Sequence, residues 1–231
     1  MHPALQSVRA VFFDAVGTLL LPAEPVSATY RRIAARHGLN LDENTVRTRL
    51  VAAFERQELI DHQASWRTSE ERERKRWETI VCETLREADD PLACFEDLWS
   101  WFSRPGAWMA NPDTGEVLAI LHQRGLILGM ASNFDARLNG LISRIEAFAL
   151  LEARCVVSSL ATWRKPSRAF FAEVARVAGH EPGEILFIGD DRRNDLEGAL
   201  AAGFRGLLLD KNGEKSAERI HRLGELVEEN R

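Results

Sequence analysis

Val11-Phe12-Phe13-Asp14-Ala15-Val16-Gly17-Thr18 decides how the chain is read: an apolar run ends on a carboxylate and the backbone is then released at a glycine. The run predicts a buried strand with Asp14 at its carboxyl end. In open α/β sheets ligands bind in the crevice outside those ends, so an acid there is placed to meet a substrate. An ordinary strand and turn would leave the same trace, and later segments tip the balance. Leu126-Ile127-Leu128-Gly129-Met130-Ala131-Ser132-Asn133 is a second apolar run, closing on a hydroxyl and the N–H groups of the turn that follows. Ile185-Leu186-Phe187-Ile188-Gly189-Asp190-Asp191-Arg192-Arg193-Asn194-Asp195 again delivers acids to a strand end, with Asn194 or Asp195 opening a helix. Between them stands Lys165-Pro166. Lysines occur only at 75, 165, 211 and 215, and the proline disfavours the α region for Lys165, which predicts a helix starting just after it.

Outward from these segments the pattern divides. Helical periodicity covers about 25–37, 43–61, 69–88 and 92–103, with Thr68 and Glu71 spaced as a capping box and Trp77, Ile80, Val81 and Leu85 on one face of the helix it starts. Prolines 22, 25, 105 and 112 gather where this stretch leaves and rejoins the strand-bearing part, which predicts hinges near 21–24 and 104–110. From about 108 strands and helices alternate: helix 113–124, strand 126–131, helix 135–144, strand 154–158, helix 167–178, strand 185–189, helix 194–202, strand 205–209 and a last helix 215–229. Such alternation predicts an α/β fold, a Rossmann-like parallel sheet with helices on both faces. The expected division is 1–20 and 106–231 for the core and 21–105 for an all-helical insert.

Composition sets outer limits. A chain of 231 residues with 45% hydrophobic and 28% charged residues has the makeup of a globular protein. A formal charge of −5 leaves no basic footprint for nucleic acid. The mixed cluster Glu70-Glu71-Arg72-Glu73-Arg74-Lys75-Arg76 reads as a solvated, ion-paired helix face. Cys82, Cys94 and Cys155 lack zinc-site spacing and read as reduced interior thiols of a cytoplasmic protein. The first nine residues show no secretion signal, and no apolar run approaches the roughly 20 residues that span a bilayer. His37, His62, His122, His180 and His221 match no ligand spacing. Most of Trp66, Trp77, Trp99 and Trp101 are expected to pack helices, with room for one to face the crevice.

In order and spacing the four segments resemble the haloacid dehalogenase (HAD) superfamily, whose members are mostly magnesium-dependent phosphohydrolases. The resemblance runs from about Val8 to Leu209 and makes the insert a helical cap. It implies Asp14 as the nucleophile that forms an aspartyl-phosphate. Ser132, the Asn133 N–H and Lys165 would bind the transferring group, Gly17 would let the backbone approach it, and Thr18 would hold the nucleophile loop. Mg²⁺ would be bound by Asp14, the Val16 carbonyl and Asp190, with Asp195 binding or orienting that shell. Asp195 read by itself is also a plausible helix cap.

Val16 departs from the resemblance. Phosphatases of this kind carry there a second aspartate that protonates the leaving oxygen and activates water, and valine carries no proton. Losing a general acid–base costs about 10²–10⁴-fold in rate. The implied function is a phosphatase acting on a small phosphate ester, weakened by Val16. Two alternatives stand beside it. One is a metal-independent 2-haloacid dehalogenase, for which arginines of the cap would hold the carboxylate. The other is a catalytically impaired phosphate-binding or regulatory protein. A Schiff-base mechanism would need a lysine in the insert with a lowered pKa, and the insert offers only Lys75, within the charged run. A small-molecule substrate is the expected partner, with no nucleic acid and no membrane, and the sequence is silent on oligomeric state.

Overall fold

In the computed structural model, which describes residues 1–214 and 216–228, β1 (Ala10–Phe13) is buried on both faces. Its residues alternate between two cores, as a strand period of two requires. Val11 and Phe13 enter the larger apolar cluster, whereas Ala10 and Phe12 enter the one beneath the opposite face. Both phenylalanines are fully buried, so truncating either to alanine would cost about 3–5 kcal/mol.

After β1 the chain forms β2 (Leu20–Pro22) and four helices: α1 (Val26–Arg36), α2 (Glu43–Gln63), α3 (Glu70–Thr84) and α4 (Pro91–Trp101). It returns through β3 (Trp108–Ala110). The rest alternates: α5 (Thr114–Gln123), β4 (Ile127–Ser132), α6 (Arg137–Ile142), β5 (Cys155–Val157), α7 (Ser158–Ala161), α8 (Arg168–Ala178), β6 (Ile185–Gly189), α9 (Gly198–Ala201), β7 (Arg205–Leu209) and β8 (Arg219–Ile220). Six strands form one sheet in the order β5-β4-β1-β6-β7-β8, every pair parallel. The Rossmann-like parallel architecture expected from the alternation is therefore present, with β1 at its centre.

The four insert helices build a core of their own, in which Tyr30, Ile33, Val46, Val81, Leu85, Phe95 and Leu98 pack together. Ile80, Val81 and Leu85 are buried and Trp77 packs beside them, so the expected face of α3 holds. Its cap is shifted by one residue. Ser69, not Thr68, accepts the Arg72 N–H, and the Thr68 hydroxyl instead donates to Glu73 at 2.7 Å. The two crossings expected as hinges pair with each other: β2 and β3 form an antiparallel ribbon in which Leu20 faces Ala110 and Pro22 faces Trp108. The insert also rests on the loop before α8, where Arg67 and Trp163 form a β-bridge and the Arg164 N–H donates to the Trp66 carbonyl at 3.0 Å.

Two of the expected helices differ from the structure. The final helix over 215–229 is absent among the described residues of that stretch, where β8 and a single 3-10 turn at Leu223–Leu226 stand instead. Ile220, Leu223 and Leu226 are buried, and their spacing by three imitates a helix face. β7 would otherwise present an unpaired edge, and β8 covers it. The helix over 194–202 begins earlier, as a π-helical turn at Arg192–Glu197 that runs into α9. Asp191 caps it by accepting the Arg193 and Asn194 N–H groups, a role expected of Asn194 or Asp195.

Candidate active site

The carboxyl ends of β1, β4 and β6 bring Asp14, Ser132 and Asp190 to one crevice, and the π-helical turn carries Asp195 beside them. The Asp14 N–H donates to the Ile188 carbonyl at 2.8 Å, which extends the β1–β6 ladder by one step and fixes where the side chain emerges. Gly17 follows with φ +96°, and a Cβ there would overlap the Asp190 carboxylate. The turn therefore needs glycine both for its backbone and for the close approach of an acid. At Gly189 a Cβ would meet Asp195 in the same way.

Lys165 joins these groups. Its ammonium, 2% exposed, donates to Asp14 Oδ1 and to Asp195 Oδ1, both at 2.5 Å. Ser132 Oγ donates to the same Asp14 Oδ1 at 3.1 Å, so among the described residues Asp14 Oδ2 is left without a hydrogen bond. Thr18 Oγ1 donates to Asp190 Oδ1 at 3.2 Å. Asp195 Oδ2 accepts the Asp191 N–H at 3.0 Å, which ties this acid to its own turn.

Asp14 and Asp195 share one ammonium with Asp190 close beside them, and the ionisation of the three shows the strain. Asp14 is held above the usual carboxylate range by burial and by Asp190 nearby, against the pull of Lys165. Burial raises Asp195 to about 6, Lys165 lowering it and Asp14 raising it. Asp190 stays open to solvent at the mouth, yet partial loss of water and the Asp195 charge push it up to about 6. Burial would lower Lys165, but Asp14 and Asp195 outweigh it and hold the ammonium above its ordinary value. Asp14, Asp190 and Asp195 each offer an oxygen within 4.8 Å of the others. Two negative charges remain uncompensated in that space, and an all-oxygen set of this kind suits a hard divalent cation.

Asn133 plays a part that its place in the sequence does not disclose. Its side-chain carbonyl accepts the Lys165 N–H at 2.7 Å and its amide donates to the Lys165 carbonyl at 3.1 Å. The amide thus clamps the backbone that carries the ammonium. Asn111 was not singled out by any motif, yet its side chain donates to the Thr18 carbonyl at 2.9 Å and so holds the turn that follows Asp14.

Arg164 is a further surprise, since nothing marks it except its neighbour. It is 2% exposed and pairs with Asp61 at 2.8 Å, Glu58 at 3.2 Å and Glu73 at 3.3 Å. Arg76 joins Asp61 and Glu58, each at 2.9 Å, and Arg72 joins Asp61 at 2.6 Å. Three arginines and three carboxylates thus balance in one buried cluster of α2, α3 and the Arg164 loop. The charged run read as a solvated face is divided: Glu73 and Arg76 point inward and are buried, whereas Glu70 and Glu71 remain exposed.

Above Asp14 lies a cavity of about 290 Å³ shared by insert and sheet. Asp14, Val16, Ser132, Asn133, Lys165, Asp190 and Asp195 line its floor. Phe54, Trp77, Trp99, Phe102, Trp108 and Phe134 line its walls. Two of the four insert tryptophans therefore face the crevice, where one was allowed for. Gly17 and Thr18 lie behind the lining and act through Asp190.

A model of the family described as haloacid dehalogenase-like hydrolase matches residues 8–203. Haloacid dehalogenase-like hydrolase domain-containing protein 3 of Bos taurus is 28% identical over 221 residues, covering 87% of this chain and 82% of that protein. Among solved structures, an L-2-haloacid dehalogenase superposes with a TM-score of 0.70 at 22% identity, covering 96% of this chain and 97% of its own. A HAD phosphatase from Thermococcus onnurineus gives 0.64 at 20% identity, with 95% and 96% covered. At such identities the likeness to these two structures is one of fold.

Proposed function

The chain belongs to the haloacid dehalogenase-like hydrolase family, and from that premise we propose that it is a magnesium-dependent phosphatase acting on a small phosphate ester through Asp14. One observation carries the reading: three carboxylates with oxygens within 4.8 Å of one another stand against a single ammonium. A dehalogenase that works without metal has no use for that surplus of negative charge. Asp14, Asp190, the Val16 carbonyl and Asp195 would hold Mg²⁺, which when bound supplies positive charge beside the phosphoryl oxygens.

The chain's own groups account for the rest. Asp14 attacks phosphorus and takes the phosphoryl group, dividing one displacement into two easier ones. Lys165 and Ser132, both hydrogen-bonded to Asp14, would meet the phosphoryl oxygens as charge spreads over them. The helical insert, closing the cavity from above, keeps bulk water away until the acyl phosphate has formed. Residues 21–105 thus serve as a cap that moves on the β2–β3 ribbon.

Val16 favours a second reading, 2-haloacid dehalogenase, because that reaction releases halide and needs no proton at this position. A panel of phosphate esters and short 2-haloacids, each assayed with and without Mg²⁺, separates the two. Mg²⁺-dependent phosphate release that Asp14→Asn abolishes is the expected result, and halide release independent of metal would overturn the proposal.

A further inference from the structure

The cavity above Asp14 has walls of one chemical kind, and they select the body of the substrate. Resting on the phosphatase reading, we propose that the substrates are phosphate monoesters of an aromatic hydroxyl, with the ring seated among Phe54, Trp77, Trp99, Phe102, Trp108 and Phe134.

Three features converge on this class. Apart from the indole rings, the insert contributes only Tyr30 and Arg76 as polar side chains among the described lining residues. A sugar or polyol buried here would leave several hydroxyls unpaired, and each unpaired group is costly, whereas a flat ring needs no partner and gains from stacking.

The charges of the lining are also already engaged. Arg76 is held by Asp61 and Glu58, Arg164 by Asp61, Glu58 and Glu73, and Arg137 by Asp135 at 2.7 Å, its guanidinium lying 3.3 Å from the centre of the Trp99 ring. Lys165 is shared by Asp14 and Asp195. No cation of the described lining is left over for a carboxylate or a second phosphate on the substrate's body. Arg164 Nε and Asn194 Oδ1 remain without partners, enough for one neutral substituent.

The third feature is Val16, on the cavity floor with the catalytic groups. As Asp14 oxygen bonds to phosphorus, the bond from phosphorus to the ester oxygen breaks and its electron pair leaves on that oxygen. An alkoxide is too basic to depart unprotonated, whereas an aryloxide is stable enough to leave and take its proton from water afterwards. Water then attacks phosphorus, the Asp14 carboxylate departs with its electron pair, and one water proton passes to a phosphoryl oxygen. Neither step calls on a side chain at position 16.

The test is calorimetric titration in Mg²⁺ with inorganic phosphate, methylphosphonate and phenylphosphonate, together with turnover of phenyl phosphate against glycerol phosphate. Phenylphosphonate is expected to bind about tenfold tighter than methylphosphonate, or more, and phenyl phosphate to exceed glycerol phosphate in kcat/KM by about 10² or more. Phe54→Ala should narrow the phenyl preference, the ratio of phenylphosphonate to methylphosphonate affinity falling several-fold towards one. If that variant fails to fold, the comparison of phosphonates on the native chain decides alone. Equal binding of the two phosphonates, or equal turnover of the two esters, would overturn the aromatic class while leaving the phosphatase reading intact. If neither phosphate nor any phosphonate binds, the phosphatase reading falls first and this proposal with it.

Discussion

Arg164 and Lys165 are neighbours in the chain but serve opposite charge clusters: Arg164 reaches the carboxylates of Glu58, Asp61 and Glu73 in the insert, whereas Lys165 reaches Asp14 and Asp195 at the sheet. One peptide bond therefore couples the packing of the insert to the position of the ammonium beside Asp14.

That coupling is open to test at Asp61, which is fully buried and accepts from Arg72, Arg76 and Arg164. Removing one partner of a buried ion cluster leaves the others uncompensated, at a cost of about 3–5 kcal/mol. Asp61→Asn should lower the urea midpoint accordingly. An unchanged midpoint would mean that the cluster is open to water in solution.

Asn133 bonds to the Lys165 backbone on both sides, so Asn133→Ala should disturb the ammonium without removing it. A misplaced group costs up to about 10²-fold in rate. Steady-state kinetics are expected to show the loss in kcat, with KM near the native value. A rise in KM alone would identify Asn133 as a substrate contact and not a positioning residue.

Asp190 links metal to stability. Because its pKa rises from 3.8 to about 6 on folding, the folded chain binds protons more tightly than the unfolded one. The penalty for keeping it charged is thus absent below about pH 4 and fully present above about pH 6.5. In EDTA, Asp190→Asn should melt higher than the native protein at pH 7.5, and the gap should close as pH falls towards 4. Saturating Mg²⁺ at about 100 times its Kd adds about 2.7 kcal/mol to the native protein, or about 5–10 °C in Tm at this chain length. Calorimetry should show Asp190→Asn weakening Mg²⁺ binding by about tenfold or more. Undiminished affinity would remove Asp190 from the site.

Val16→Asp should restore a proton carrier. Hydrolysis is expected to rise about tenfold or more, and more for alkyl phosphates than for aryl phosphates, whose oxygen needs little protonation. If both ester classes are unchanged while fold and Mg²⁺ affinity persist, a water or another group already carries the proton. Asp14→Asn should abolish turnover in either background.

The inner strands β1, β4 and β6 were legible because they are uninterrupted apolar runs, and each run ends on the residue that reaches the crevice: Asp14, Ser132 and Asp190. Helix ends were less so. Thr68 and Ser69 are equally good caps on paper, and only packing chose Ser69. The tail misled because Ile220, Leu223 and Leu226 bury at helical spacing while the edge of β7 claims two residues for a strand. The Arg164 cluster was hidden for another reason. Its carboxylates lie 91 to 106 positions from Arg164, and a charged run with i,i+3 and i,i+4 pairs looks solvated until a distant arginine covers one side of it. Arg76, the arginine of the insert that lines the cavity, is accordingly already neutralised and not free for a halocarboxylate.

The β2–β3 ribbon has one more consequence. Since Pro22 and Trp108 are paired across it, the chain enters and leaves the helical insert at points separated by a single interstrand spacing of about 5 Å. An insertion whose ends coincide strains its host little, whatever its length. Exchanging residues 23–107 as a cassette would accordingly disturb the two strands little, and the cost would fall on the Arg164 loop, whose buried guanidinium pairs with Glu58, Asp61 and Glu73 of the insert.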